Sequence, residues 1–156
     1  MICASRIRMY RLWIIGCLVL MASPFCVARD LAIIVNPANA AADVTQAELY
    51  KLMTLSTRQW ADGKRVMIVI GDPASPDMRI LLQKLYKTDS EDIKSIVDAH
   101  KEDILIAGSD EKVVKMVASN PTAIGVINVY SIRSEVKVLR IDRKLPLEAG
   151  YALHGN

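Results

Sequence analysis

The stretch Val66-Met67-Ile68-Val69-Ile70-Gly71-Asp72-Pro73-Ala74-Ser75-Pro76 decides the fold. Five apolar residues in a row leave no polar face, which is the pattern of a strand covered on both sides, as in a parallel sheet. Gly71-Asp72-Pro73 ends the run, since proline has no N–H to give to a ladder. Ser75-Pro76 then opens a helix, with serine as N-cap and proline at the first helical position, whose inward face is Met78, Leu81, Leu82 and Leu85.

The same grammar extends in both directions. Leu31-Ala32-Ile33-Ile34-Val35 is a second continuous apolar run, closed by Asn36-Pro37. A third, Ile124 to Val129, follows the turn Asn120-Pro121-Thr122, and Val136 to Ile141 alternates as an edge strand does. Between them, Thr45-Gln46-Ala47-Glu48 is a capping box flanked by the staple pair Val44 and Leu49, and opens a helix with Leu49, Leu52 and Met53 on one face. Thr88 with Glu91 opens another, with Ile93, Ile96 and Val97 inward. Ser109, followed by Asp110 and Glu111 against the helix dipole, opens a fourth with Val113, Met116 and Val117. Strands alternating with helices predict an α/β layered fold, a mostly parallel sheet flanked by helices with right-handed crossovers.

Upstream of this pattern, residues 1–28 read as a secretory signal peptide. Arg6, Arg8 and Arg11 precede the apolar run Leu12 to Ala22, and Cys26-Val27-Ala28 places small residues before a cut. The run is about half of the ~20 residues that a membrane span needs, which disfavours an uncleaved anchor. Ile14-Ile15-Gly16-Cys17 has the form of a lipoprotein box, but a cut there would leave Leu18 to Ala22 exposed at the start of the mature chain. The expected product is an exported single domain, residues 29–156.

Of the 156 residues, 20 are Lys or Arg and 17 are Asp or Glu, but the leader carries three Arg and no acid. The mature chain therefore has 17 of each and no net charge, which gives no support for a nucleic-acid surface. All three cysteines (Cys3, Cys17, Cys26) also leave with the leader, so thiol catalysis, disulfides and thiolate metal sites are excluded. At 52% hydrophobic residues the chain is too apolar to be disordered, and its length allows one ordinary domain.

The catalytic inventory is thin. His100 falls on the apolar face of the third helix, where a satisfied, half-buried histidine is the plain reading, and His154 lies in a C-terminal tail whose plain reading is disorder. No Ser-His-Asp order, HExxH, Walker or GxGxxG pattern occurs, so neither an enzyme nor a metal or cofactor is expected. What remains is geometric. Open α/β sheets bind ligands beyond the carboxyl ends of their strands, where helix starts offer N–H groups and about half a positive charge. On that basis the candidate ligand-binding residues are Asn36, Ala38 and Asn39 after the first strand, and Asp72, Ser75 and Arg79 around the second. Ser75 has two readings, an oxyanion ligand and a plain N-cap, the cap being the commoner role. Asp72 would repel a fully ionised anion but accept a proton from a protonated one. Arg79 is a charge partner or part of the solvated face.

Four segments together resemble a known family: Asp30 to Pro37, Val44-Thr45-Gln46-Ala47-Glu48-Leu49, Arg58-Gln59-Trp60-Ala61-Asp62-Gly63, and Val117-Ala118-Ser119-Asn120-Pro121-Thr122-Ala123-Ile124-Gly125-Val126. They are similar to the short members of the phosphate-binding, periplasmic-binding-protein-like family of ABC importers. The resemblance implies a periplasmic-binding-protein-like fold with a reduced second lobe, a periplasmic location, and capture of phosphate or a similar oxyanion beside an ABC transporter membrane component. Full-length members carry an Arg and, four residues later, Ser-Gly-Thr; Gly71 and Ser75-Pro76-Asp77 stand there, and Val126 replaces the tyrosine after A-I-G. Two expectations result. The leading one is a soluble, monomeric solute-binding protein, and the alternative is an exported interaction or sensory module of the same fold that has lost its small ligand. Trp60 is expected to cap the core, and Asp62-Gly63 to form the bend before the second strand.

Overall fold

The computed structural model describes residues 29–86 and 90–155, and for residues 90–94 the backbone alone. The leader, the three cysteines and Thr88 lie outside the described residues. In chain order the elements are β1 (Leu31–Val35), β2 (Asp43–Val44), α1 (Gln46–Met53), β3 (Met67–Ile70), α2 (Pro76–Leu81), α3 (Ser90–Ala99), β4 (Ile104–Ile106), α4 (Asp110–Ser119), β5 (Ala123–Asn128), β6 (Lys137–Val138) and β7 (Arg140–Ile141). No helix among the described residues is long and apolar enough to cross a membrane.

Five strands form one sheet in the order β4-β3-β5-β1-β6. β3 pairs in parallel with β4 and β5, whereas β1 runs antiparallel to both β5 and β6, so four strands point one way and β1 the other. The continuous apolar run of β1 marks burial on both faces, and all five of its residues are buried, but it does not fix direction. A parallel β1 is therefore corrected. The apolar stretch Val136 to Ile141 divides in two: β6 extends the sheet beyond β1, and β7 pairs in parallel with β2 in a separate two-stranded sheet. β4 has three residues, too few to carry a strand signature in the sequence.

The cores on the two sheet faces follow from side-chain alternation. Leu31, Ile33, Val35, Ile68, Ile70, Ile124 and Val126 point to one face, which α1, α2, a π-helical turn at Leu82–Tyr86, and Val97 of α3 cover. Ala32, Ile34, Val69, Ala123 and Ile127 point to the other, which α4 covers with Val113, Val114 and Val117. Three of the four helix starts are as expected, the fourth, at Thr88, lying outside the described residues. Thr45 and Glu48 form the reciprocal capping box, Ser75 Oγ accepts from Met78 N with Pro76 at the first position, and Ser109 Oγ accepts from Lys112 N.

The C-terminal tail corrects the expectation of disorder. Tyr151 and Leu153 are buried, Leu31 N donates to Leu153 O at 3.2 Å, and Gly155 N donates to Asp30 Oδ1 at 3.2 Å. His154 Nδ1 lies 2.5 Å from the buried Asp30 carboxylate, and Lys84 Nζ bonds the His154 carbonyl. The tail thus closes over the entry to β1. His100 is half-buried, as expected; its carbonyl accepts from the backbone N–H groups of Asp103 and Ile104 at the start of β4.

Gly125 marks the closest approach of helix to sheet. A Cβ there would lie 2.8 Å from both Val113 Cγ1 and Val117 Cγ2, and 3.3 Å from Ile34 Cγ1, all in the packed core. Gly125→Ala is expected to lower stability by about 1–3 kcal/mol through overpacking, read as a lower denaturant midpoint at unchanged slope.

Asp103, whose side chain is 4% exposed, holds Arg65 Nε at 2.5 Å, and this guanidinium keeps its carboxyl below the usual carboxylate range. A folded-state pKa below the unfolded one means that the contribution is present above the unfolded value and is lost as pH falls through the folded one. Melting temperature should therefore drop as pH falls below the ordinary aspartate value of about 3.9, and Asp103→Asn should flatten that drop. An unchanged slope in Asp103→Asn would contradict the assignment.

Candidate functional site

Because β1 is antiparallel, the loops expected to share one sheet edge are at opposite edges. Val35 pairs with Ile124 at the start of β5, and Leu31 with Asn128 at its end. Asn36, Ala38 and Asn39 therefore lie at the amino edge of β3 and β5, while Asp72, Ser75 and Arg79 lie at the carboxyl edge. A site that joins the two groups is excluded by this register.

At the amino edge the work is structural. Asn36 is buried and donates from Nδ2 to the Val117 and Ala118 carbonyls at 3.0 and 2.7 Å at the end of α4, where Val117 O also accepts from the C-cap Asn120 N at 3.3 Å. Its Oδ1 accepts from Ala38 N at 2.9 Å. Asn39 Oδ1 accepts from Ala41 N, and Trp60 Nε1 donates to Thr122 O at 2.9 Å. Trp60, 8% exposed, covers the core as expected, and Gly63 at φ 81° turns the chain into β3. Asn39 also borders a wide cleft of about 670 Å³ with Asp43, Lys51, Gln59 and Trp60.

The carboxyl edge holds a small cavity of about 100 Å³. Ser75 and Asp72 line it, as do Asp77, Ser109, Asp110 and Asn128. Arg79 does not; its guanidinium bonds the Ala74 carbonyl at 3.2 Å on the surface. Each serine is an N-cap that accepts from its own helix and retains a hydroxyl hydrogen to donate. Asn128 N donates to Asp110 Oδ2 at 3.0 Å, and Asn128 Nδ2 to Asp77 Oδ2 at 3.0 Å. Asp77 Oδ1 faces Arg29 Nη1 at 3.3 Å, and Asp72 Oδ1 accepts from Ala74 N at 2.9 Å. No group of three His, Cys, Asp or Glu among the described residues is arranged to hold a metal ion.

Sequence reasoning named Ser75, Asp72 and the start of α4 but missed Arg29, Asp77 and Asn128 as neighbours. The signal that would have found them is strand direction, which brings the start of β1 beside the end of β5.

Two crystal structures have a similar fold. An ABC-type phosphate transport receptor from Vibrio cholerae superposes with a TM-score of 0.69 at 19% identity, over 82% of this chain and 54% of that one. PstS from Borrelia burgdorferi gives 0.67 at 17% identity, over 83% and 55%. The chain shares their fold. It spans about half their length. No protein-family model and no curated protein matches the sequence.

Asn36→Ala is expected to cost about 1–3 kcal/mol, because the Ala118 carbonyl loses its donor and the Val117 carbonyl keeps only the Asn120 N–H. Asn36→Asp should cost more, since it sets a carboxylate against two carbonyl oxygens. A denaturant melt checks both, and a variant as stable as the parent would remove the capping role.

Proposed function

We propose that the protein is a small exported solute-binding protein, not an enzyme, that captures phosphate or a similar oxyanion for an ABC importer. Its site is the carboxyl-edge cavity, and the observation that carries the reading is the meeting there of the Ser75 and Ser109 hydroxyls at two helix starts beside Asn128. The ten-residue α4 adds its positive N-terminal dipole end. The volume suits one small ion. The fold shared with phosphate receptors supports the same reading, and the signal-peptide pattern of residues 1–28 supports export; the exported domain, residues 29–156, is proposed to act as a soluble monomer.

A second reading has an observation of its own. Asp72, Asp77 and Asp110 all border the cavity, and among the described residues no Lys or Arg side chain lines it. Like charges within a few ångströms oppose an ionised ligand. This favours an interaction or sensory module that keeps the fold without the ligand.

Calorimetric titration with phosphate, sulfate and molybdate separates the two. Binding to the parent protein is expected to be weak. Ser75→Ala should lower both affinity and stability, the latter by about 1 kcal/mol, since it removes a hydroxyl and a cap together. Ser75→Asp preserves the cap and repels the anion, so it should abolish binding at nearly unchanged stability. Equal binding by Ser75→Asp would place the site elsewhere. No heat from the parent with any of the three ions at millimolar concentration would favour the module.

A further inference from the structure

We infer that the Asp77 carboxylate is an internal occupant of the oxyanion site, holding the donors that an incoming anion would use; this rests on the oxyanion reading above. Asp77 sits at the second position of α2, where an acidic side chain ordinarily serves its own helix start. Here it does not. Met78 N is taken by Ser75 Oγ and Arg79 N by the Ser75 carbonyl, while both Asp77 oxygens bond groups outside the helix. Oδ1 faces the guanidinium of Arg29, which precedes β1, and Oδ2 accepts from the amide of Asn128, which ends β5.

Three separate elements therefore converge on one carboxylate. A guanidinium and a side-chain amide are the two donor types that bind a tetrahedral oxyanion well, the first through parallel N–H groups and the second through NH₂. Arg29 reaches the cavity only through Asp77. A bound phosphate or sulfate would have to displace the carboxylate and take Arg29 and Asn128 for itself. Asp110 acts alongside, its Oδ2 on Asn128 N at 3.0 Å, but it bonds the backbone and holds no cation. The resident carboxylate thus lowers apparent affinity in proportion to how firmly it holds both donors, and gives the site a built-in threshold of anion concentration.

The test compares the parent protein with Asp77→Asn, Asp77→Ala and the double variant Arg29→Ala/Asp77→Ala, titrated calorimetrically with inorganic phosphate and with sulfate. Asp77→Asn keeps the side-chain shape, so folding is preserved if Asp77→Ala loosens α2; ligand-free thermal melts identify that case. Removing the negative charge should tighten binding about tenfold or more, the equivalent of one charge-assisted hydrogen bond regained. The gain should vanish in the double variant and shrink as salt is added. If the parent binds and both Asp77 variants bind no better, the internal-occupant role is wrong while oxyanion capture stands. If the parent is silent and the Asp77 variants bind, the occupant role is upheld and capture by the native protein is not. Silence in all of them overturns both, and a gain that survives loss of Arg29 overturns the part assigned to the guanidinium.

Discussion

The antiparallel ladder between Leu31–Val35 and Ala123–Asn128 puts the beginning of one strand beside the end of the other. The two edges of the sheet acquire different work as a result. At the carboxyl edge, Arg29 and Asp30 arrive next to Asn128 and the starts of α2 and α4, with the C-terminal tail folded over them. At the amino edge, Asn36 arrives next to the end of α4 and caps it. Because all five β1 residues are buried, slipping the pairing by one residue would turn each side chain toward the wrong core, so the register is strongly specified.

This division explains what the family resemblance rests on. Trp60 bonds the Thr122 carbonyl, Asn36 the ends of α4, and Gly125 gives α4 room to lie flat on the sheet. These belong to the segments by which the sequence resembles phosphate-binding proteins, and they are joints of the scaffold. Gly71 and Ser75-Pro76-Asp77, where the sequence departs from the motif it otherwise resembles, fall instead at the carboxyl edge, and Ser75 and Asp77 line the cavity there. Likeness of fold therefore carries less about a ligand than about the frame that would hold it.

Much of the frame was legible because its signals are local. Capping boxes and N-caps are set by three or four consecutive residues, and Thr45, Ser75 and Ser109 all cap as read. Burial of β1, β3 and β5 was legible because continuous apolar runs have only one comfortable environment. Strand direction was not, since a run such as Leu31 to Val35 has no polarity along its axis and parallel or antiparallel pairing depends on contacts about ninety residues away, at Ile124 to Asn128. That single missing bit misplaced three of six candidate site residues. The tail was misread for a related reason: Tyr151 and Leu153 are two isolated apolar residues, and only the groove beside Leu31 makes them core.

The energetics of the carboxyl-edge cavity then turn on very few groups. The cavity is lined from one edge of one sheet, and sites that bury most of their ligand gain from desolvation as well as from contact. Affinity has to come from individual donors at roughly 1.5–3 kcal/mol each when one partner is charged, so gaining or losing one moves the dissociation constant about tenfold or more. Space is not what limits the number. Gly71 is buried with an ordinary backbone, and a Cβ there would meet only Met78 Cε at 3.5 Å, which is normal contact, so the first atom of a side chain fits at this position. The site instead combines two serine hydroxyls and an asparagine with three carboxylates and a single cation that one of those carboxylates holds. Such a balance resists a fully ionised ligand and leaves protonated oxygen atoms, able to donate to Asp72 or Asp110, as the ones best matched to the rim.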